Sequence, residues 1–86
     1  MNAFIQPTAI VTGAGSGIGR AIAHRLAEDG FYVIVADRAE VPALETVSQL
    51  QERGFMARAE ILDITDAVAT QKLIDNAAHL RVLVNN

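Results

Sequence analysis

A glycine-rich turn constrains this chain more than any other feature of its sequence. Four glycines fall within Gly13–Gly19, directly after the β-branched run Thr8–Thr12, and Ile18, Ile22 and Leu26 then recur at helical spacing. Glycine allows positive φ and a close approach of the backbone to a ligand. The unpaired N–H groups and the dipole at the start of a helix favour an anion. The sequence therefore predicts a strand, a tight turn and a helix whose first turn binds phosphate.

Strand-like and helix-like segments alternate along the rest of the chain. The pattern predicts strands at Thr8–Thr12, Tyr32–Ala36, Ala57–Leu62 and Val82–Val84, and helices over about Ile18–Asp29, Val41–Arg53 and Thr65–Ala78. This alternation is typical of right-handed βαβ units in a parallel sheet. We therefore expect an α/β fold, a Rossmann-type three-layer sandwich with three helices and a truncated sheet of strand order 3-2-1-4. Arg58 and Glu60 alternate with apolar residues, which is typical of an edge strand.

Composition narrows the possible functions. The 86 residues suit one small domain, and there is no cysteine to form a disulfide, a thiolate metal site or a nucleophile. Seven basic and ten acidic side chains give a net charge of −3, with no basic stripe for nucleic acid. Met1–Thr8 lacks the pattern of a secretory signal, and the longest apolar run, Phe31–Ala36, is too short to cross a membrane. We expect a cytoplasmic protein with no nucleic-acid or membrane partner. His24 and His79 stand alone, so no metal site is predicted.

An acidic residue follows the second predicted strand. Asp37 stands eighteen residues after Gly19, where a carboxylate accepts hydrogen bonds from the ribose hydroxyls of a dinucleotide and repels a 2′-phosphate. The neighbouring Arg38 leaves room for NADP, because a guanidinium binds phosphate well. Asp37 nevertheless favours NAD as the cofactor over NADP.

The spacing of the glycines excludes two motifs and matches a third. Ile18 breaks the strict Gly-x-Gly-x-x-Gly pattern, and no Gly-Lys-[Ser/Thr] ending of a P-loop is present. The sequence instead reads Thr-Gly-x-x-x-Gly-Ile-Gly, at Thr12, Gly13 and Gly17–Gly19. This resembles the cofactor-binding motif of the short-chain dehydrogenase/reductase family. Arg or Lys is frequent at the position of Ser16 in NADP-preferring members of that family, so Ser16 also favours NAD.

Two further segments resemble the same family. Leu62–Asp66 is similar to its Asp-Val-x-Asp element, which implies that Asp63 and the N–H of Ile64 meet the adenine ring, whereas Asp66 caps a helix. Leu83–Asn86 is similar to the start of its Asn-Asn-Ala-Gly element, which implies that Asn86 lies against the cofactor ribose. Together the resemblance implies cofactor contacts at Gly13, Gly15, Ser16, Gly17, Ile18, Gly19, Asp37, Arg38, Asp63, Ile64 and Asn86. Residues 1–86 would then be the N-terminal part of a longer NAD(P)-binding Rossmann domain.

The family's catalytic residues have no counterpart in this sequence. The resemblance implies a hydride transfer between nicotinamide and an alcohol or ketone, with a Tyr whose pKa is lowered by a Lys four residues later, and a Ser. The only Tyr is Tyr32, followed at the required spacing by Ala36, and the only Lys is Lys72. No catalytic residue is therefore assigned, and we expect the 86-residue chain to be inactive alone. The substrate and the homo-oligomer that the resemblance implies would depend on residues further along the chain.

Two other functions remain open at this point. The chain could be a non-catalytic nucleotide-binding fragment that carries only the adenine side of the site. Alternatively, Gly13, Gly15 and Gly17 with an acid after the second strand also fit a methyltransferase domain that binds S-adenosylmethionine. The Ile18-Gly19 continuation and the closing Asn85-Asn86 favour the dehydrogenase family over the methyltransferases.

Overall fold

The computed structural model describes residues 5–86, a parallel sheet with helices on both of its faces. Its strands are β1 (Thr8–Thr12), β2 (Tyr32–Asp37), β3 (Ala57–Ile61) and β4 (Leu80–Val84). The helices are α1 (Gly17–Glu28), α2 (Glu40–Glu52) and α3 (Ala67–Asn76). Met1–Phe4, half of the stretch inspected for a secretory signal, lies outside the described residues. Among the described helices, none combines the length and the apolar character that a membrane crossing requires.

The strand order is β3-β2-β1-β4, and every pairing is parallel, as the sequence predicted. In the central pair, Ala9 lies opposite Val33 and Val11 opposite Val35. All five residues of β1 are buried, because this strand has a neighbour on each side and helices above and below. The two edge strands, β3 and β4, are partly exposed, and Arg58 pairs with Glu60 on the surface of β3. The carboxyl ends of all four strands therefore meet along one edge of the sheet.

Alternation along β1 and β2 separates two apolar cores. Val11, Val33 and Val35 point to the face covered by α1 and α2, where Leu50 is fully buried. The opposite face of the sheet packs against α3 and has the smaller of the two apolar cores. There Leu73 packs against Ile10, Ile34 and Ala36. Helices on both faces give the three layers that were expected from the sequence.

The junction between α3 and β4 differs from the prediction. The helix was expected to reach Ala78 and the strand to begin at Val82, but the helix ends at Asn76 and the strand begins at Leu80. Ala77, directly after the helix, is already extended with φ of −80° and ψ of 104°, and His79 with a positive φ of 59° then turns the chain into β4. The turn is held by β1, because the N–H of Thr8 donates to the carbonyl of His79 at 2.9 Å and its hydroxyl donates to the carbonyl of Ala78 at 2.8 Å. These tertiary hydrogen bonds override the helical pattern of the sequence.

Candidate functional site

A cavity of about 230 Å³ lies at the carboxyl ends of the four strands. Each strand contributes residues at its carboxyl end or just beyond it. The lining comprises Thr12, Gly13, Ala36, Asp37, Arg38, Leu62, Asp63, Ile64, Thr65 and Asn86. The structure thus brings together six of the residues that the sequence singled out: Gly13, Asp37, Arg38, Asp63, Ile64 and Asn86. The remaining five, Gly15–Gly19, lie beside the cavity at the start of α1 and do not line it.

The start of α1 presents backbone donors to solvent. Ser16 precedes the helix in an extended conformation, and its side chain makes no capping hydrogen bond. Gly13 and Gly17 have φ of 62° and 57°, values that only glycine adopts without strain. Within residues 5–86, the N–H groups of Ser16–Gly19 have no acceptor, and Ser16, Gly17 and Ile18 are exposed. Free donors at the start of a helix, together with the helix dipole, favour an anion.

Asp37 lies directly beside this turn. Its Oδ2 accepts a hydrogen bond from the N–H of Gly15 at 2.9 Å, and its Oδ1 accepts one from the N–H of Ala39 at 3.0 Å. A side chain at residue 15 would place Cβ only 2.8 Å from Oδ2, so the approach requires glycine. Each carboxylate oxygen keeps lone-pair capacity for a further donor in the cavity. The arrangement holds the Asp37 side chain next to the donors of α1.

The end of β4 is attached to the glycine turn. The backbone N–H of Asn86 donates to Oγ1 of Thr12 at 3.0 Å, and its Nδ2 donates to the carbonyl of Gly13 at 3.2 Å. The hydroxyl of Thr12 in turn donates to the carbonyl of Val84 at 3.2 Å. Gly19 lies below this contact, where a Cβ would come within 2.1 Å of the carbonyl oxygen of Gly13. Gly19 therefore allows α1, the turn and β4 to pack closely.

The opposite wall of the cavity carries Asp63. Its Oδ1 accepts hydrogen bonds from the backbone N–H of Thr65 at 2.9 Å and from the Thr65 hydroxyl at 2.7 Å. These two bonds, the backbone one first, lower the pKa of Asp63 below its ordinary value of 3.8, and the charge of Arg38 lowers it further. Asp63 is thus ionised at neutral pH. Asp66, expected to cap a helix, does so by accepting from the N–H of Ala69 at 3.0 Å.

Two polar residues next to the turn were not predicted from the sequence. Thr46 on α2 is fully buried, and its hydroxyl donates to the carbonyl of Ala14 at 2.9 Å. Arg20 on α1 donates from Nε to the Thr46 hydroxyl at 2.8 Å. One signal could have found Thr46, since it stands among Ala43, Val47 and Leu50 on the apolar face of a helix. A hydroxyl at such a position needs a buried hydrogen-bond partner.

His24, one of the two histidines considered as metal ligands, forms hydrogen bonds with protein side chains. His24 lies between α1 and α2, with Nε2 at 3.0 Å from the Gln49 side chain, while Arg53 approaches Nδ1 at 2.8 Å. An arginine can only donate, so Nδ1 accepts and Nε2 carries the proton. In the part of the chain that the structure covers, no group of three acidic, histidine or cysteine side chains could hold a metal ion.

The fold and this edge of the sheet first define a class, the Rossmann-type α/β domains. Residues 7–86 also match the family model described as short chain dehydrogenase. The chain belongs to the short-chain dehydrogenase/reductase family.

Curated and solved relatives show the same membership. A diacetyl reductase [(S)-acetoin forming] of Staphylococcus epidermidis is 40% identical over 86 residues, which cover 95% of this chain and 34% of the relative. The structure of a hydroxysteroid dehydrogenase from Escherichia coli superposes with a TM-score of 0.86 at 38% identity, over 93% of this chain and 36% of that one. An actinorhodin polyketide ketoreductase with NADPH superposes with a TM-score of 0.86 at 35% identity, over 94% and 33% of the two chains. The chain thus spans about a third of the length of the relatives it matches.

Proposed function

We propose that these residues form the adenine and pyrophosphate side of an NAD site in a short-chain oxidoreductase. The observation that carries this proposal is the 2.9 Å hydrogen bond from the N–H of Gly15 to Asp37. It holds the carboxylate of Asp37 beside the free donors of α1, which supports the binding of the ribose and the pyrophosphate of one dinucleotide to these two groups. In this assignment Ser16–Gly19 bind the pyrophosphate and Asp37 binds the adenosine ribose.

The size and chemistry of the cavity support the assignment of the adenosine part of the dinucleotide to this cavity. Its 230 Å³ is below the volume of about 300–1,000 Å³ typical of pockets that enclose a drug-sized ligand, so it suits one part of a dinucleotide. Asp63 and Ile64 form the wall that would meet the adenine ring, and the apolar side chain of Ile64 is about half exposed. Both hydrogen bonds to the carboxylate of Asp63, from the N–H and the hydroxyl of Thr65, end on Oδ1, which leaves Oδ2 for the exocyclic amine. Asn86 would lie against the ribose on the nicotinamide side.

The charge beside the ribose site supports NAD rather than NADP. A 2′-phosphate would come next to the carboxylate of Asp37, which already lies in a partly buried position. Arg38 is exposed at the rim of the same cavity. Among the described residues that line the cavity, it is the one basic side chain, and therefore the one that could offset the repulsion between Asp37 and a 2′-phosphate. When bound, the cofactor would supply the hydride chemistry, and the residues described here would bind and orient it.

Binding of NAD to the 86-residue chain tests the proposal. We expect saturable binding in a calorimetric or NMR titration, with NADP weaker than NAD. Asp37→Asn removes a charged acceptor, which contributes about 1.5–3 kcal/mol, so NAD affinity should fall at least tenfold and the preference over NADP should shrink. Asp29→Asn is the matched control, because Asp29 pairs with Arg25 at the far end of α1.

Three outcomes would contradict the proposal. Absence of saturable NAD binding by the folded chain would exclude the site. Tighter binding of S-adenosylmethionine than of NAD would favour the methyltransferase alternative. An equal loss of affinity in Asp37→Asn and Asp29→Asn would show that the carboxylate acts through overall charge and not through contact.

The complete reaction belongs to the same proposal. We propose that these residues serve a longer enzyme that interconverts an alcohol and a ketone. The 86 residues contain no Tyr-x-x-x-Lys pair, so this chain alone should bind the cofactor and turn over no alcohol. Reduction of NAD by the purified chain with any alcohol would contradict this assignment.

A further inference from the structure

In the first half of the glycine turn, the backbone N–H and C=O groups of Ala14 and Gly15 all form hydrogen bonds within the protein. The N–H of Ala14 donates to the carbonyl of Ala36 at 3.3 Å, and the N–H of Gly15 donates to Asp37. The two carbonyls are also bonded, that of Ala14 to Thr46 and that of Gly15 to Arg20. Four consecutive backbone groups are thus satisfied, and the next four N–H groups, from Ser16 onward, have no acceptor within the described chain. The turn therefore has a first half, Ala14–Gly15, that is fixed by hydrogen bonds, and a second half, from Ser16 onward, whose N–H groups are available to a ligand.

Arg20 and Thr46 hold the carbonyl side of this turn. The guanidinium of Arg20 donates from Nε to the Thr46 hydroxyl and from Nη2 to the carbonyl of Gly15 at 2.5 Å. The Thr46 hydroxyl accepts the hydrogen bond from Arg20 and donates one of its own, either to the carbonyl of Ala14 or to that of Pro42 at 3.2 Å. The hydroxyl is fully buried and has no contact with the cavity, so binding of a ligand does not involve it directly.

Peptide planarity links these carbonyls to the donors. In a trans peptide the C=O and the following N–H point in opposite directions. When Arg20 draws the carbonyl of Gly15 inward, the N–H of Ser16 must therefore point away from Arg20. When Thr46 draws the carbonyl of Ala14, the N–H of Gly15 is directed to Asp37, where the hydrogen bond is observed. The pair thus sets the direction of the first free donor, whereas Asp37 is also held by a separate hydrogen bond from the N–H of Ala39, which does not depend on the pair.

We infer that Arg20 and Thr46 are positioning residues that preorganise the turn for a pyrophosphate, although neither contacts it. This inference rests on the proposed function, because it concerns the affinity of the same site. A turn that is ordered before binding does not have to be ordered by the ligand. Loss of the pair should therefore weaken ligands that carry the pyrophosphate and leave the nucleoside contacts unchanged.

Thr46→Val tests this inference with little change of shape. The variant removes the hydroxyl, and we expect ADP to bind about tenfold more weakly while adenosine binds as before, because only ADP reaches the turn. Thr46→Ser restores the hydroxyl and should recover most of the ADP affinity. Ser48→Ala is the matched control, since it removes an exposed hydroxyl from the same helix. Both ligands are titrated by NMR, with circular dichroism to confirm folding.

Arg20→Lys provides an independent variant that keeps the positive charge. A lysine cannot reproduce the two-pronged contact of the guanidinium, so ADP affinity should again fall while adenosine affinity holds. This arm decides the result if Thr46→Val does not fold. Equal ADP affinity in the folded variants and the wild type, or an equal loss for adenosine and ADP, would overturn the inference. Failure of the wild type to bind either ligand would instead overturn the proposed function.

Discussion

Gly19→Ala should destabilise this protein, although the same change at an ordinary helix position is stabilising. Alanine in place of glycine gains about 1 kcal/mol of helix propensity. At residue 19, however, the new Cβ would lie 2.1 Å from the carbonyl oxygen and 2.7 Å from the carbonyl carbon of Gly13, and 2.5 Å from Nδ2 of Asn86. Two of these atoms are backbone, so the turn itself must move.

The expected magnitude follows from opposing contributions. Overpacking of a close contact costs about 1–3 kcal/mol, and displacement of the Asn86 side chain adds about 0.5–1.5 kcal/mol for its hydrogen bond to Gly13. After the gain in propensity, we expect a net loss of about 0.5–3.5 kcal/mol in the free energy of unfolding. For a domain of this size each kcal/mol shifts Tm by about 4–8 °C.

Thermal unfolding followed by circular dichroism measures this effect. Ala21→Gly, an exposed change on the same helix, calibrates the propensity alone and should cost about 1 kcal/mol. If Gly19→Ala instead raised Tm by as much as Ala21→Gly lowers it, the close packing of α1 on the turn would be refuted.

Two further changes test the loops around the sheet. His79→Gly should raise the urea midpoint, because it relieves a left-handed conformation costing about 1–2 kcal/mol, of which the entropy of glycine offsets about 0.5–1 kcal/mol; a lower midpoint would contradict the assigned strain. The pKa of Asp63 is lowered in the folded state, so the stability from its bonds to Thr65 is present above pH 3.8 and is lost as pH falls through the folded pKa. An NMR titration of the Thr65 amide should show a midpoint below 3.8, and one at or above that value would contradict the hydrogen bonds.

The centre of the fold could be predicted from sequence, and its periphery less well. The apolar runs of β1 and β2 and the glycine turn each agree with the final structure, because burial on both faces leaves a plain signal. The predicted end of α3 was wrong by two residues, since the turn that follows Ala77 is held by hydrogen bonds from Thr8, which lies far away in the sequence. A local pattern contains no information about such a partner.

The candidate site shows the same division. Motif spacing located Gly13, Asp37, Asp63 and Asn86, which the fold then gathers around one cavity. The hydrogen bond between Gly15 and Asp37 could not be predicted from the sequence, because a motif specifies residue types but not which residues bond to each other. Thr46 was missed for a related reason: a single hydroxyl in an apolar stripe indicates that a bond exists but does not identify the acceptor.

The central place of β1 also sets an order for folding. Thr8 pairs with Tyr32 on one side and with Leu80 on the other, so one edge of the strand closes a short loop and the other closes a loop through most of the chain. Closing the longer loop carries the larger entropy loss, and pairings between distant segments slow folding. We therefore expect β1, α1 and β2 to assemble first and β4 to dock after them, so that, among the contacts described, the one between Asn86 and the turn forms late.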